Sequence, residues 1–175
     1  MLLEATTQPI IREISADLET PISVYMKLRG QGPSFLLESV EGGERIARYS
    51  FIGIQPRAQY ILRDGLIEIK DSDGTRTVQC NGDPTYFLQE EMGSCKFSPQ
   101  AGVPRFIGGL VGYLGYEAVR FFEPTLKSKM AHGHIPDGIY LLADTVIAFD
   151  HARRSLSLIA NVLDGDVYSA TRKLD

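Results

Sequence analysis

Two polar side chains follow an apolar run early in this sequence. Glu38 and Ser39 come directly after Phe35-Leu36-Leu37, and alternate residues of a strand point to opposite faces, so one polar group lies on the face of a neighbouring leucine. Such a group needs a partner, because burying it unpaired costs about 1–3 kcal/mol. The partner is either an arginine, Arg45 or Arg48, or a small polar ligand such as an amino acid. The residues alone favour the ion pair.

A glycine-rich segment spans residues 106–117, Phe-Ile-Gly-Gly-Leu-Val-Gly-Tyr-Leu-Gly-Tyr-Glu. Its spacing does not match the Gly-x-Gly-x-x-Gly pattern of dinucleotide-binding loops, and no Gly-Lys-Ser/Thr follows it. Glycine within a strand more often marks the close approach of another backbone. We therefore predict a packing role for this segment and no nucleotide site.

The histidines do not form a metal or catalytic motif. His132 and His134 are two residues apart, a spacing that chelates a metal only with further ligands, and no third ligand lies nearby in the sequence. His151 follows Asp150 in a predicted turn, where we expect a solvated role. The sequence also lacks a Gly-x-Ser-x-Gly nucleophile elbow. It predicts no metal site and no self-contained active site.

The elements that position these residues include two short helices. Thr20-Pro21 starts the first, which stops before Gly30, because threonine caps a helix and proline fits its first turn. Asp83-Pro84 starts the second in the same way, with Glu90-Glu91 on its exposed side.

Strands make up most of the remaining pattern. Asp64-Gly65 separates two of them and is a strong hairpin signal, because glycine accepts a positive φ. The predicted strands cover residues 10–14, 35–39, 47–53, 58–63, 66–70, 75–80, 138–149 and 155–161. The pattern predicts an α+β fold of mostly antiparallel sheets with covering helices.

The end of the chain carries a third helical pattern. Val167, Ala170 and Leu174 recur at helical spacing. A helix of roughly nine residues is marginal alone and needs something to pack against. We expect the chain to be the front part of a longer polypeptide.

Composition and charge exclude several classes of protein. The chain has 175 residues, 18 Lys and Arg against 22 Asp and Glu, and a net charge of −4, so it shows no basic nucleic-acid footprint. No apolar run approaches the ~20 residues that cross a bilayer. We expect no nucleic-acid or membrane partner, a cytoplasmic location, and free thiols at Cys80 and Cys95.

In their order and spacing, several motifs resemble the N-terminal region of the large component of anthranilate synthase, a family that acts on chorismate. They are Leu36-Leu37-Glu38-Ser39, Gly42-Gly43-Glu44-Arg45, Arg48-Tyr49-Ser50-Phe51-Ile52-Gly53, the glycine-rich segment and Phe149-Asp150-His151. The resemblance implies the N-terminal part of a two-subdomain sandwich of antiparallel sheets. Residues 1–175 would form that part and end before the chorismate-binding domain.

The same resemblance implies a function. The family forms anthranilate and pyruvate from chorismate, with Mg²⁺ and with ammonia from a glutamine amidotransferase, component II, in the first step towards tryptophan. Its chorismate and magnesium residues lie in the absent C-terminal domain, so residues 1–175 alone should be inactive. Its front part holds L-tryptophan as feedback inhibitor, which here implies a site at Ser39, Glu38 and Leu37, with Arg48-Tyr49-Ser50 as the neighbouring wall. Aminodeoxychorismate synthase and a non-catalytic amino-acid-binding module are the alternatives.

Overall fold

The computed structural model describes residues 9–38, 48–80, 82–95, 102–126, 133–163 and 166–175. The chain divides into two compact units, Met1–Pro56 with Cys95–Gly109 and Ala143–Asp175, and Arg57–Ser94 with Leu110–Leu142. The predicted α+β class is confirmed, because the two five-stranded sheets are paired antiparallel and accompanied by short helices.

The described elements are ten strands and four short helices, with runs of consecutive strands from β2 to β6 and from β8 to β10. The strands are β1 Pro9–Ser15, β2 Ser34–Leu37, β3 Tyr49–Ile54, β4 Ala58–Arg63, β5 Leu66–Asp71, β6 Gly74–Gln79, β7 Gly109–Leu114, β8 Gly138–Ala143, β9 Thr145–Asp150 and β10 Ser155–Asn161. The helices are α1 Pro21–Leu28, α2 Pro84–Ser94, α3 Val119–Phe122 and α4 Val167–Arg172, with 3-10 turns at Tyr116–Ala118 and Pro124–Leu126.

The first unit is built on a sheet with strand order β1-β10-β9-β3-β2. Strand β9 therefore lies between β10 and β3, although β3 precedes it by about half the chain. This register places Asp150, at the end of β9, opposite Tyr49, at the start of β3. Strand β2 forms the edge and pairs with β3.

Helix α1 begins and ends as predicted. The Thr20 hydroxyl accepts a hydrogen bond from the Ser23 amide, and the Ser23 hydroxyl accepts one from the Thr20 amide, which together form a capping box. Its buried Val24 joins a core cluster on the sheet that includes Ile52, Ile147, Phe149 and Leu156. Helix propensity is weak over eight residues, so this packing stabilises α1.

Helix α4 confirms the terminal helical pattern and has a surface to pack against. Ala170 and Leu174 are buried against Ala160 of β10. The Arg12 guanidinium, on β1, donates to the Leu174 carbonyl at 2.9 Å, where a helix end leaves carbonyl groups unpaired.

The prediction of one long strand over residues 138–149 is wrong. Strand β8 ends at Ala143 and β9 begins at Thr145, and the two belong to different sheets. The intervening Asp144 is 3% exposed, and Lys173 binds its carboxylate. Its carbonyl accepts hydrogen bonds from the backbone and side-chain amides of Asn161, at 2.8 and 3.0 Å. These contacts hold a polar residue inside an apolar run.

The second unit is built on a sheet with strand order β6-β5-β4-β8-β7. The predicted β4-β5 hairpin is confirmed, and its turn residues Asp64 and Gly65 have φ values of 52° and 79°. Two positive φ values are typical of a type I′ turn, whose twist matches that of the strands. One expectation about α2 is wrong: Glu91 is half-buried and accepts a hydrogen bond from the buried Tyr60 hydroxyl at 2.7 Å.

The glycine-rich segment forms β7, and its predicted packing role is confirmed at Gly112. A Cβ atom there would lie 1.9 Å from the Ile139 carbonyl oxygen and 2.7 Å from the Tyr140 Cα. No side chain fits at that distance, so the backbones of β7 and β8 approach as closely as they do because Gly112 has none.

A buried ion pair connects α3 to the residue that precedes β8. Arg120 of α3 and Asp137 are 6% and 7% exposed, and their side chains are 2.8 Å apart. Asp137 also accepts a hydrogen bond from the Asp64 amide at 2.8 Å, and Arg120 donates to the Asp64 carboxylate at 3.1 Å. The network therefore joins the β4-β5 turn, the start of β8 and α3. Removing either charge of the buried pair would leave the other buried without a counter-charge, which is costly.

Candidate functional site

The residues predicted for the amino-acid site lie where β2 ends and β3 begins. Leu37 is the last residue of β2 and is paired with Phe51, and Glu38 follows it; both side chains are exposed. Tyr49 and Ser50 are the first two residues of β3. Antiparallel pairing of β2 and β3 thus brings the predicted residues Leu37 and Glu38 and the predicted residues Tyr49 and Ser50 to the same end of the sheet. Ser39, with Arg45 and the predicted loop 41–44, lies outside the described residues.

Arg48 is bound by a carboxylate that the sequence analysis did not assign to it. Its Nε lies 3.1 Å from Asp150 Oδ1, and its Nη2 lies 2.6 Å from Oδ2, a two-point contact. The expectation that Arg48 would pair with Glu38 thus gives way to a pair with Asp150. The guanidinium also lies over the Tyr49 ring, 4.9 Å from its centroid.

Charge and burial shift the pKa values of this group. Burial alone would raise the pKa of Asp150, but hydrogen bonds from Arg48 and from the amides of Arg153 and Ala152 outweigh it and lower that pKa. The hydrogen bonds that Arg48 donates to Asp150 raise the pKa of Arg48. Burial, followed by the nearby Asp150 charge, raises the pKa of the Tyr49 phenol. At neutral pH Arg48 is therefore a cation, Asp150 an anion and Tyr49 a neutral phenol.

The turn after β9 contributes a second link to β3. His151 Nε2 is 2.8 Å from the Ser50 hydroxyl oxygen, and the His151 ring lies 4.9 Å from the centroid of Phe149. The His151 side chain is exposed to solvent, as expected, but its imidazole also has a hydrogen-bond partner, Ser50. Ser50 is 1% exposed, so its hydroxyl is out of a substrate's reach and serves to hold the histidine.

The arrangement fits binding better than covalent chemistry. An oriented guanidinium suits a ligand carboxylate, an exposed carboxylate such as Glu38 suits an ammonium group, and Leu37 and Tyr49 offer apolar surface. Asp150 and His151 are the site-forming residues that sequence reasoning missed. Their position directly after an apolar strand was visible, but their proximity to β3 was not.

Metal and thiol chemistry have little support in the described part of the chain. Among the described residues, no group of three or more His, Cys, Asp or Glu side chains could hold a metal ion. His132 lies outside the described residues, and His134 is exposed. Cys80 and Cys95 are not joined by a disulfide, as predicted, and burial raises the pKa of the Cys80 thiol.

Known proteins share both the sequence and the fold. The chain is 39% identical to anthranilate synthase component 1 of Acinetobacter calcoaceticus over 97% of its own length. It is a homologue of anthranilate synthase component 1. It is also 33% identical to that component from Acetivibrio thermocellus and 38% identical to that from Pseudomonas aeruginosa, over 93% and 82% of its length. The resemblance read from the sequence is confirmed.

The chain spans about a third of these anthranilate synthase components: 36%, 33% and 30% of their respective lengths. Its fold is similar to the crystal structure of anthranilate synthase component I from Streptococcus pneumoniae TIGR4, with a TM-score of 0.54 and 24% identity. That match covers 92% of this chain and 34% of the other. No protein-family model matches the chain. No helix in its described part is long and apolar enough to span a bilayer.

Proposed function

We propose that this chain is the N-terminal, regulatory and structural part of an anthranilate synthase component 1 and carries the site for L-tryptophan. The observation that carries the proposal is the identity of 33–39% to proteins of that name over nearly the whole chain. In this proposal residues 1–175 precede a chorismate-binding domain. That domain would hold the chorismate and Mg²⁺ ligands, and component II would supply ammonia from glutamine.

The geometry at the end of β2 supports an amino-acid site. Arg48 would receive the carboxylate of tryptophan, because its guanidinium is charged, half-buried and already oriented by Asp150. The exposed Glu38 would receive the ammonium group, with Ser39 as its hydroxyl neighbour in the sequence. The indole would contact Leu37, which is 43% exposed at the sheet edge, and Tyr49.

Inhibition at this site would act as a shift between two arrangements of the whole protein. Tryptophan suppresses activity only to the extent that it binds the less active arrangement more tightly. The site in this chain therefore sets how strongly product is sensed, while the lyase chemistry belongs to the remainder of the protein.

A binding experiment tests the site. The chain contains no Trp and 8 Tyr, so the fluorescence of added L-tryptophan can be followed without indole background. We expect a blue shift on binding that is lost in Ser39→Phe. Ser72→Phe, at an exposed turn of the second unit, is the matched control and should bind as the parent chain does. Undiminished binding by Ser39→Phe contradicts the site.

A turnover experiment tests the division of labour. Incubated with chorismate, ammonium and Mg²⁺, residues 1–175 should form no anthranilate, which is detected by its own fluorescence. Anthranilate formation by this chain alone would show that the reacting groups lie within it.

A further inference from the structure

Asp150 is a buried carboxylate that contacts Arg48 of the proposed tryptophan site. It is 4% exposed, and its carboxylate accepts from Arg48 through Nε and Nη2. Its Oδ1 also accepts from the amides of Ala152 and Arg153, at 3.0 and 3.2 Å. Backbone amides of the turn that follows β9 thus fix the Asp150 carboxylate in place, and the carboxylate in turn orients the longer Arg48 side chain.

The contact leaves Arg48 only partly engaged. Its side chain is 37% exposed, whereas that of Asp150 is 6% exposed. Nε and Nη2 are directed at Asp150, the ring of Tyr49 lies 4.9 Å from the guanidinium carbon, and Nη1 has no hydrogen-bond partner among the described residues. A guanidinium fixed in this way loses less conformational freedom when it binds an anion.

The same turn is tied to β3 by a second contact. His151 Nε2 lies 2.8 Å from the buried Ser50 hydroxyl, and the His151 amide donates to the Arg48 carbonyl at 2.9 Å. The backbone and the side chain of Arg48 are therefore both held by Asp150 and His151. Asp150 lies 102 residues after Arg48 in the sequence.

We propose that Asp150 is a positioning residue for ligand binding: it holds the Arg48 guanidinium so that its free edge receives the carboxylate of the amino acid. The inference rests on the proposed function and adds a specificity determinant to it. Asp150 does not touch the ligand. It makes the site prefer an amino acid over the corresponding amine, because only the amino acid has a carboxylate for Arg48.

The test compares L-tryptophan with tryptamine, which lacks the carboxylate, by indole fluorescence. The wild-type chain should prefer L-tryptophan. Asp150→Asn removes the negative charge and replaces one carboxylate oxygen by an NH₂ donor, which must face either the Arg48 guanidinium or the turn amides, all of them donors. We therefore expect the ratio of the two affinities to fall about tenfold, as for loss of one charged hydrogen bond. Asp150→Glu keeps the charge but displaces it, so the ratio should fall less.

Asp71→Asn is the matched control. Asp71 also binds an arginine, Arg76, and accepts from a turn amide, that of Asp73 at 2.9 Å, but it belongs to the second unit. It should leave the affinity ratio unchanged. An equal fall in this control would show that general destabilisation lowers the ratio and would overturn the role of Asp150.

The remaining outcomes separate the two ideas. If the wild-type chain shows no preference for L-tryptophan over tryptamine, the proposed amino-acid site fails, and the positioning role fails with it. If the wild-type chain prefers L-tryptophan and the folded Asp150 variants keep the full ratio, only the positioning role is overturned. Should Asp150→Asn prove unfolded by circular dichroism, Asp150→Glu alone decides, and an unchanged ratio there overturns the inference.

Discussion

Replacing Gly112 by alanine should break the contact between β7 and β8. The added Cβ would lie 1.9 Å from the Ile139 carbonyl oxygen, where ordinary contact begins at 3.4 Å, and 2.7 Å from the Tyr140 Cα. Both are backbone atoms, so relief requires one strand to move by more than an ångström. Overpacking costs about 1–3 kcal/mol, and each strand hydrogen bond lost adds about 1 kcal/mol. We expect a loss of ~3 kcal/mol or more, a large fraction of a typical domain's stability.

The assay is urea unfolding followed by circular dichroism, with Gly93→Ala as the matched control. Gly93 lies in α2, and a Cβ there would meet nothing within 4 Å. Alanine favours a helix over glycine by up to ~1 kcal/mol, so this variant should be more stable than the parent chain. The two glycine substitutions should therefore have opposite signs. A Gly112→Ala variant as stable as the parent chain would refute the close approach of the two strands.

Three further predictions concern buried polar groups. Arg120→Met leaves the buried Asp137 without its cation and should cost about 3–5 kcal/mol in urea unfolding; a loss near zero would contradict the buried pair. Asn161→Ala removes the side-chain amide that donates to the buried carbonyls of Ile107 and Asp144, and should lower the free energy of unfolding by ~2–4 kcal/mol. The measurement is the thermal midpoint, and an unchanged midpoint would count against those hydrogen bonds. The folded pKa of Asp150 is lowered, so its contribution to stability is present above the ordinary value of about 3.9 and is lost as pH falls through the folded pKa. Acid unfolding of Asp150→Asn should therefore depend less steeply on pH below about 4 than that of the parent chain, and parallel curves would argue against the shift.

Local signals predicted most of the elements. The Thr20-Pro21 start of α1, the Asp64-Gly65 turn and the helical spacing at Val167 each act within a few residues, through a cap, a positive φ or a periodic apolar face. The structure has an element at each place. The glycine pattern also predicted a packing role for residues 106–117, but it did not indicate the partner, which the structure shows at Gly112 to be the backbone of β8.

The same local reasoning failed where partners come from distant parts of the chain. An apolar run from residue 138 to 149 is compatible with one strand, and only Lys173 and Asn161 explain why it divides at Asp144. Likewise, the exposed face expected for Glu91 gives way to a contact with Tyr60, 31 residues earlier.

For the candidate site, the sequence by itself determined which residue types stand at the end of β2 and the start of β3: a carboxylate at Glu38, a guanidinium at Arg48 and hydroxyl groups beside them. The tertiary structure alone decided which charge orients Arg48. Asp150 reaches it because β9 is inserted between β10 and β3, a strand order that no short-range signal encodes. Caps, turns and periodicity act over a few residues, whereas sheet order is decided by the burial of apolar faces across the whole unit.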